Sequence, residues 1–176
     1  MKKYIAISGS LRANSFNTSL LKAAQELAPV GVEIEIANIS LLPLYNSDLE
    51  TEFPSAAQEL KDIIEKSDGV IISTPEYNRS IPGVLKNAID WASRPWGKNS
   101  FAGKPVLILG ASVGAIGAAV AQSHLKQIMV YLDGHVIGQP ELYIGNAHDK
   151  VSVEGVLTDE ATREHIKKAL EVLVTR

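Results

Sequence analysis

YIAISGSLRANSFN, residues 4–17, is the stretch that decides how this chain folds. Its apolar run of Ile5, Ala6 and Ile7 reads as a buried strand that ends at Gly9. A short loop follows, carrying Ser10, Arg12, Ser15 and Asn17. Immediately after it, Leu20, Leu21, Ala24 and Leu27 recur at helical spacing, and Pro29 closes the run, predicting a helix over residues 16–27. A strand feeding a helix through a polar turn is the repeating unit of α/β architecture.

The same alternation runs to the end of the chain. Residues 32–37 place Glu33 and Glu35 on one side, as an outer strand with a solvated face would. Ala56, Leu60, Ile63 and Ile64 mark a helix over 55–67. GVIIST (69–74) and PVLILGA (105–111) are short, continuous apolar runs, as expected of strands buried on both faces. Pro82 and Gly83 start a helix over 84–92, and a long helix is expected over 116–132. A weak strand begins at Val136 and Ile137. The last helix, 158–174, takes Thr158 as its N-cap, with Glu160 and Glu164 near its start. The expected fold is a doubly wound parallel sheet of five strands, order 2-1-3-4-5, in a three-layer α/β/α arrangement. Two long loops, 38–54 and 92–104, interrupt the pattern.

Composition narrows the function. The 176 residues, 45% hydrophobic and 21% charged, fit one domain spanning 1–176. A net charge of −3 argues against a nucleic-acid partner. The chain has no cysteine, which removes disulfides, thiolate metal sites and thiol nucleophiles. No run approaches the ~20 apolar residues of a membrane helix, and no secretory signal is visible, so a cytoplasmic protein without a membrane partner is expected. His124, His135, His148 and His165 lack metal-ligand spacing. There is no G-x-S-x-G elbow for serine hydrolysis, and Asp48, Asp62, Asp68 and Asp90 show no pairing suited to phosphoryl chemistry.

In a doubly wound fold the first loop lies at the amino end of the first helix, where unpaired backbone N–H groups and the helix dipole favour an anion. Ser10, Ser15 and Asn17 add side-chain donors, and Arg12 adds a fork suited to phosphate oxygens. The plainer reading is a capped helix, with Ser15 as N-cap and Arg12 solvated. The combined pattern favours a phosphate monoester. Neither G-x-G-x-x-G nor a Walker loop is present, which argues against a dinucleotide or nucleoside triphosphate held there.

The loop after the third strand, TPEYNRSIPG (74–83), leaves the same sheet edge. Pro75 and Pro82 stiffen it, backbone groups from Glu76 to Asn78 suit the rim of a heterocycle, and Tyr77 suits its face. The plainer alternative is a shaped turn with a solvated Glu76. Ser112 and Gly114, after the fourth strand, sit at the same edge.

Together, GSLRANSFN and TPEYNRSIPGVLKNAIDWASRP resemble the NADPH-dependent FMN reductase family, in the branch of quinone, chromate and azo-dye reductases; FAGKPVLILGAS and QSHLKQIMVYLD extend the resemblance along nearly the whole chain. It implies a flavodoxin-like fold with non-covalent FMN and NADPH or NADH as co-substrate. Ser10, Arg12, Ser15, Asn17 and the backbone of Phe16 would hold the phosphate. Pro75, Glu76, Tyr77 and Asn78 would line the isoalloxazine, and Ser112 and Gly114 would complete the site. The implied acceptors are quinones, azo compounds, flavins or metal oxyanions such as chromate, and the implied assembly is a homodimer or homotetramer. Trp91, Trp96 and Phe101 suggest a partner surface. Gly117-Ala118, Lys126 and Arg79 replace a glycine pair, an arginine and a tyrosine of some relatives. The alternatives are a flavodoxin-type electron carrier, which does not oxidise NAD(P)H, and a regulatory domain without cofactor.

Overall fold

The computed structural model describes residues Met1–Arg176. Strands β1 (Lys2–Ser8), β2 (Val32–Ile36), β3 (Gly69–Ser73) and β4 (Pro105–Ala111) run parallel in the order β2-β1-β3-β4, and β5 (His135–Val136) continues the sheet beyond β4. The helices are α1 (Phe16–Glu26), α2 (Ser55–Glu65), α3 (Gly83–Ala92), α4 (Ala119–Tyr131) and α5 (Glu160–Leu173).

Two-residue periodicity sorts the strand side chains into two cores. Tyr4 and Ala6 of β1, Ile71 of β3, and Leu107 and Leu109 of β4 pack with α1 and α5. Their neighbours Ile5, Ile7, Val70, Ile72, Val106 and Ile108 pack with α2, α3 and α4. Because β3 is covered on both sides, all five of its residues are buried, and its sequence shows no polar alternation. The expected three layers are present, with α1 and α5 on one face.

The fifth strand position is divided. β5 pairs with the start of β4, at Pro105 and Val106, while a sixth segment, β6 (Leu142–Ile144), pairs with its end, at Leu109 to Ala111. Three residues after Pro140 carry too little pattern to announce a strand. The fourth helix starts at Ala119 rather than 116, because Gly117 and Ala118 hold φ of 57° and 62°, outside any right-handed helix. The cap of α5 is Asp159, whose carboxylate accepts from the Thr162 amide at 2.8 Å, whereas the Thr158 hydroxyl turns to the Lys150 carbonyl.

Both long loops are pinned. Trp91 is fully buried, donates from Nε1 to the Pro43 carbonyl at 2.8 Å, and takes Tyr45 and Phe53 edge-on at 5.1 Å each. It therefore fastens loop 38–54 onto α3 and presents nothing to a partner. Phe101 is also buried, so of the three aromatics only Trp96, 79% exposed, fits the expected surface. Lys61, buried on α2, holds loop 92–104 through the Lys98 carbonyl (2.6 Å) and the Ser100 hydroxyl (2.8 Å). Burial pushes the Lys61 pKa down despite Glu65 nearby. No helix is long and apolar enough to cross a membrane.

Candidate functional site

β1, β3 and β4 end side by side, and the loops that follow them enclose a cleft of about 150 Å³. Of the expected site residues, Ser10, Arg12, Ser15, Phe16, Asn17, Pro75, Glu76, Tyr77 and Ser112 line it. Ala111 and Val113 also line it; their side chains carry no polar signal that a sequence reading would pick out. Asn78 and Gly114 lie at the exposed margin, outside the lining. Larger hollows occur elsewhere, one of about 720 Å³ beside Trp96 and Tyr131 and one of about 500 Å³ between His135 and Arg176. Neither gathers three strand ends, so size does not identify the site here.

The first wall is the turn from β1 into α1. Gly9 lets it close on its neighbour: a Cβ there would meet Pro75 Cδ at 3.1 Å. Ser15 is the N-cap, its hydroxyl accepting from the Thr18 amide at 3.4 Å. The backbone N–H groups of Ser15, Phe16 and Asn17 donate to no protein acceptor. Ser10 is buried and accepts from the Arg12 amide at 3.3 Å. The Arg12 guanidinium has no carboxylate partner; it donates to the Asn14 carbonyl at 3.1 Å and lies 5.9 Å from the Phe16 ring centroid.

Asn17 does something the sequence does not announce. β3 ends at Ser73, the Thr74 amide makes the last backbone bond to β4 by donating to the Leu109 carbonyl at 2.9 Å, and the chain then turns away at Pro75. Asn17 continues the ladder in its place. Its Oδ1 accepts from the Ala111 amide (3.0 Å) and the Ser73 hydroxyl (2.9 Å), and its Nδ2 donates to the Ala111 carbonyl (3.1 Å). Asn17 is 3% exposed, and its side chain ties the ends of β3 and β4 to the start of α1 under the cleft.

The second wall is the loop after β3. Tyr77 and Ser80 exchange both backbone hydrogen bonds, at 3.0 and 3.1 Å, around Asn78 and Arg79 with φ of 52° and 61°. Two positive φ values at the tip make this a tight primed-type turn, stiffer than its polar sequence suggests. Tyr77 projects from it, 49% exposed. Glu76 is not solvated: its side chain is 9% exposed, and Oε2 accepts from the amides of Val120 (3.0 Å) and Ala121 (3.1 Å) at the start of α4. Its other oxygen meets Arg79 at 3.3 Å. Glu76 is the one carboxylate lining the cleft, and both its oxygens are engaged. The third wall is the loop after β4, where the Ser112 hydroxyl donates to the Gly114 carbonyl at 2.9 Å.

A parallel sheet of this order with its cleft beyond the strand ends defines the flavodoxin-like α/β class. The family model for NADPH-dependent FMN reductases matches residues 2–149, and the chain belongs to that family. It is 46% identical over 169 residues to a 2-hydroxy-1,4-benzoquinone reductase from Burkholderia, covering 96% of this chain and 92% of that one. It is 47% identical over 172 residues to an NAD(P)H-dependent FMN reductase from Pseudomonas aeruginosa, covering 97% and 92%. Among solved structures, the flavoenzyme NAD(P)H:(acceptor) oxidoreductase FerB from Paracoccus denitrificans superposes with a TM-score of 0.91 at 43% identity, covering 99% and 96%. The protein is an oxidoreductase that uses NAD(P)H and FMN and has quinone-reductase relatives.

Proposed function

We propose that the cleft holds FMN with its phosphate against the first wall and its ring between the second and third, and that the protein reduces quinones and related acceptors with NAD(P)H. One observation carries this reading: three unpaired amides and a guanidinium with no carboxylate partner line a cleft whose sole carboxylate is taken up by its own hydrogen-bond donors. That donor set suits a dianionic phosphate. Ser10, Arg12, Ser15 and the backbone of Phe16 and Asn17 are its ligands. Pro75, Glu76, Tyr77 and Asn78 edge the isoalloxazine, with Ser112 and Gly114 on the far side. The Asn17 side chain acts beneath, holding the strand ends at fixed spacing.

When bound, FMN supplies the redox chemistry, relaying reducing equivalents from NAD(P)H to an acceptor. The protein's part is to orient the ring and leave one face open to partners in turn. Tyr77 and Val113, 49% and 62% exposed at the rim, fit such an open site. An open face suits acceptors of several shapes: quinones, azo compounds, free flavins and oxyanions such as chromate. A single domain, 1–176, performs the reaction in the cytoplasm, where NAD(P)H is regenerated. A second copy of the chain covers the face bearing Trp96 and Tyr131, which are 79% and 74% exposed, giving a homodimer or homotetramer.

The test is NADPH oxidation by the FMN-loaded protein with a benzoquinone, an azo dye and chromate supplied separately. Turnover with the quinone is expected. A flavin-loaded protein that leaves NADPH unconsumed with all three acceptors would make it an electron carrier instead.

A further inference from the structure

The loop after β3 and the loop after β4 form opposite walls of the cleft, yet no backbone hydrogen bond joins residues 75–80 to residues 112–118. What joins them beside the cleft is the Glu76 carboxylate; the Ser80 hydroxyl, 3.1 Å from His124 Nδ1, adds a contact one turn further along α4. The carboxylate crosses from the first loop to the amides of Val120 and Ala121, just past the end of the second. The helix it reaches has no cap of its own. Ala118 stands at the N-cap position of α4 in a left-handed conformation, with no side chain able to accept from the first turn. Glu76, more than forty residues away in sequence, is the cap.

We infer that Glu76 is a positioning residue for the flavin ring: its side chain clamps the two ring-facing walls together and sets the width of the slot between them. This rests on the reading that the cleft holds FMN. The chemistry required of Glu76 is reach and acceptance, not charge. One oxygen, Oε2, takes both amides. The Arg79 partner on Oε1 is 73% exposed, and such surface pairs contribute little. With both oxygens engaged, Glu76 is also unsuited to moving protons for the reaction.

Two conservative variants separate reach from charge. Glu76→Gln keeps the length and an oxygen acceptor but removes the charge. Glu76→Asp keeps the charge but is one methylene short of the two amides. Apoprotein of each is titrated with FMN and with riboflavin, which lacks the phosphate, following flavin fluorescence; circular dichroism confirms that each variant is folded. The clamp predicts that Glu76→Gln binds both flavins within about three-fold of wild type, while Glu76→Asp loses about ten-fold for both. Equal loss for the two flavins is required, because the clamp acts on the ring.

The inference is overturned if Glu76→Asp binds as wild type while Glu76→Gln is weakened, which would make charge the operative property. It is equally overturned if both variants bind as wild type, or if the loss appears with FMN and not with riboflavin. Failure of the underlying site looks different, since wild-type apoprotein would then bind neither flavin.

Discussion

Asn17→Ala removes three buried hydrogen bonds at once, and the structure allows the cost to be worked out. The Ser73 hydroxyl is fully buried and loses its acceptor. The amide and carbonyl of Ala111 lose the groups that replace a neighbouring strand, although Ala111 borders the cleft and water reaches part of the gap. A buried polar group left unpaired costs about 1–3 kcal/mol. With partial hydration at Ala111, the total comes to about 3 kcal/mol. For a domain of this size, about 2–4 °C is lost per kcal/mol, so the melting temperature should fall by about 6–12 °C. The assay is thermal unfolding of the apoprotein followed by circular dichroism. Arg12→Ala is the control from the same loop: its guanidinium makes one hydrogen bond, to a carbonyl at the exposed surface, so the apoprotein should melt within about 2 °C of wild type. The order reverses for the cofactor. Arg12→Ala should lose about ten-fold or more in affinity for FMN and little for riboflavin. An Asn17→Ala apoprotein that melts with wild type would refute the assignment of its amide to the scaffold.

Three further outcomes follow from the geometry. Asp159 caps α5, and its hydrogen bonds from Thr162 hold its carboxyl below the usual carboxylate range. A depressed folded-state value means stability present above the unfolded pKa and lost as pH falls through the folded one. Asp159→Ala should therefore cost about 1 kcal/mol at neutral pH, and urea titrations should show the difference from wild type shrinking below about pH 4. Gly117→Ala should destabilise by about 3 kcal/mol or more, because its Cβ would sit 2.6 Å from the Ile144 amide nitrogen at a positive φ, whereas Ala118→Gly should change stability by less than about 1 kcal/mol in urea. Light scattering should return a dimer or tetramer, and Trp96→Glu should shift it toward monomer; a wild-type monomer would leave that face without its proposed partner.

The fold was legible because its strands carry two-residue alternation or continuous apolar runs, and its helices a wide apolar stripe. β6 leaves no signal in the sequence, because three residues cannot display a period. The start of α4 reads three residues early in the sequence, because apolar residues from Ile116 continue a helical pattern that two left-handed residues forbid. At the site, the clustering of Ser10, Arg12 and Ser15 with Pro75 and Tyr77 was legible as loops at one sheet edge. What each polar side chain does there was not. Asn17 and Glu76 have the residue types of ligands, yet their amide and carboxylate bond to backbone groups 94 and more than forty positions away. Partners that far apart leave no mark in local spacing. Trp91 shows the same limit, since an aromatic beside a loop reads as surface until Pro43 is seen to accept from it.

FMN in this cleft exchanges electrons with NAD(P)H if the proposed function holds. The most direct measurement is the visible absorption spectrum of the purified protein reconstituted with FMN, recorded anaerobically before and after NADPH, then after a quinone. The expected record is a pair of flavin bands that bleach with NADPH and return with the quinone. A protein that retains no flavin after gel filtration, or whose bands stay unchanged on adding NADPH, would contradict it.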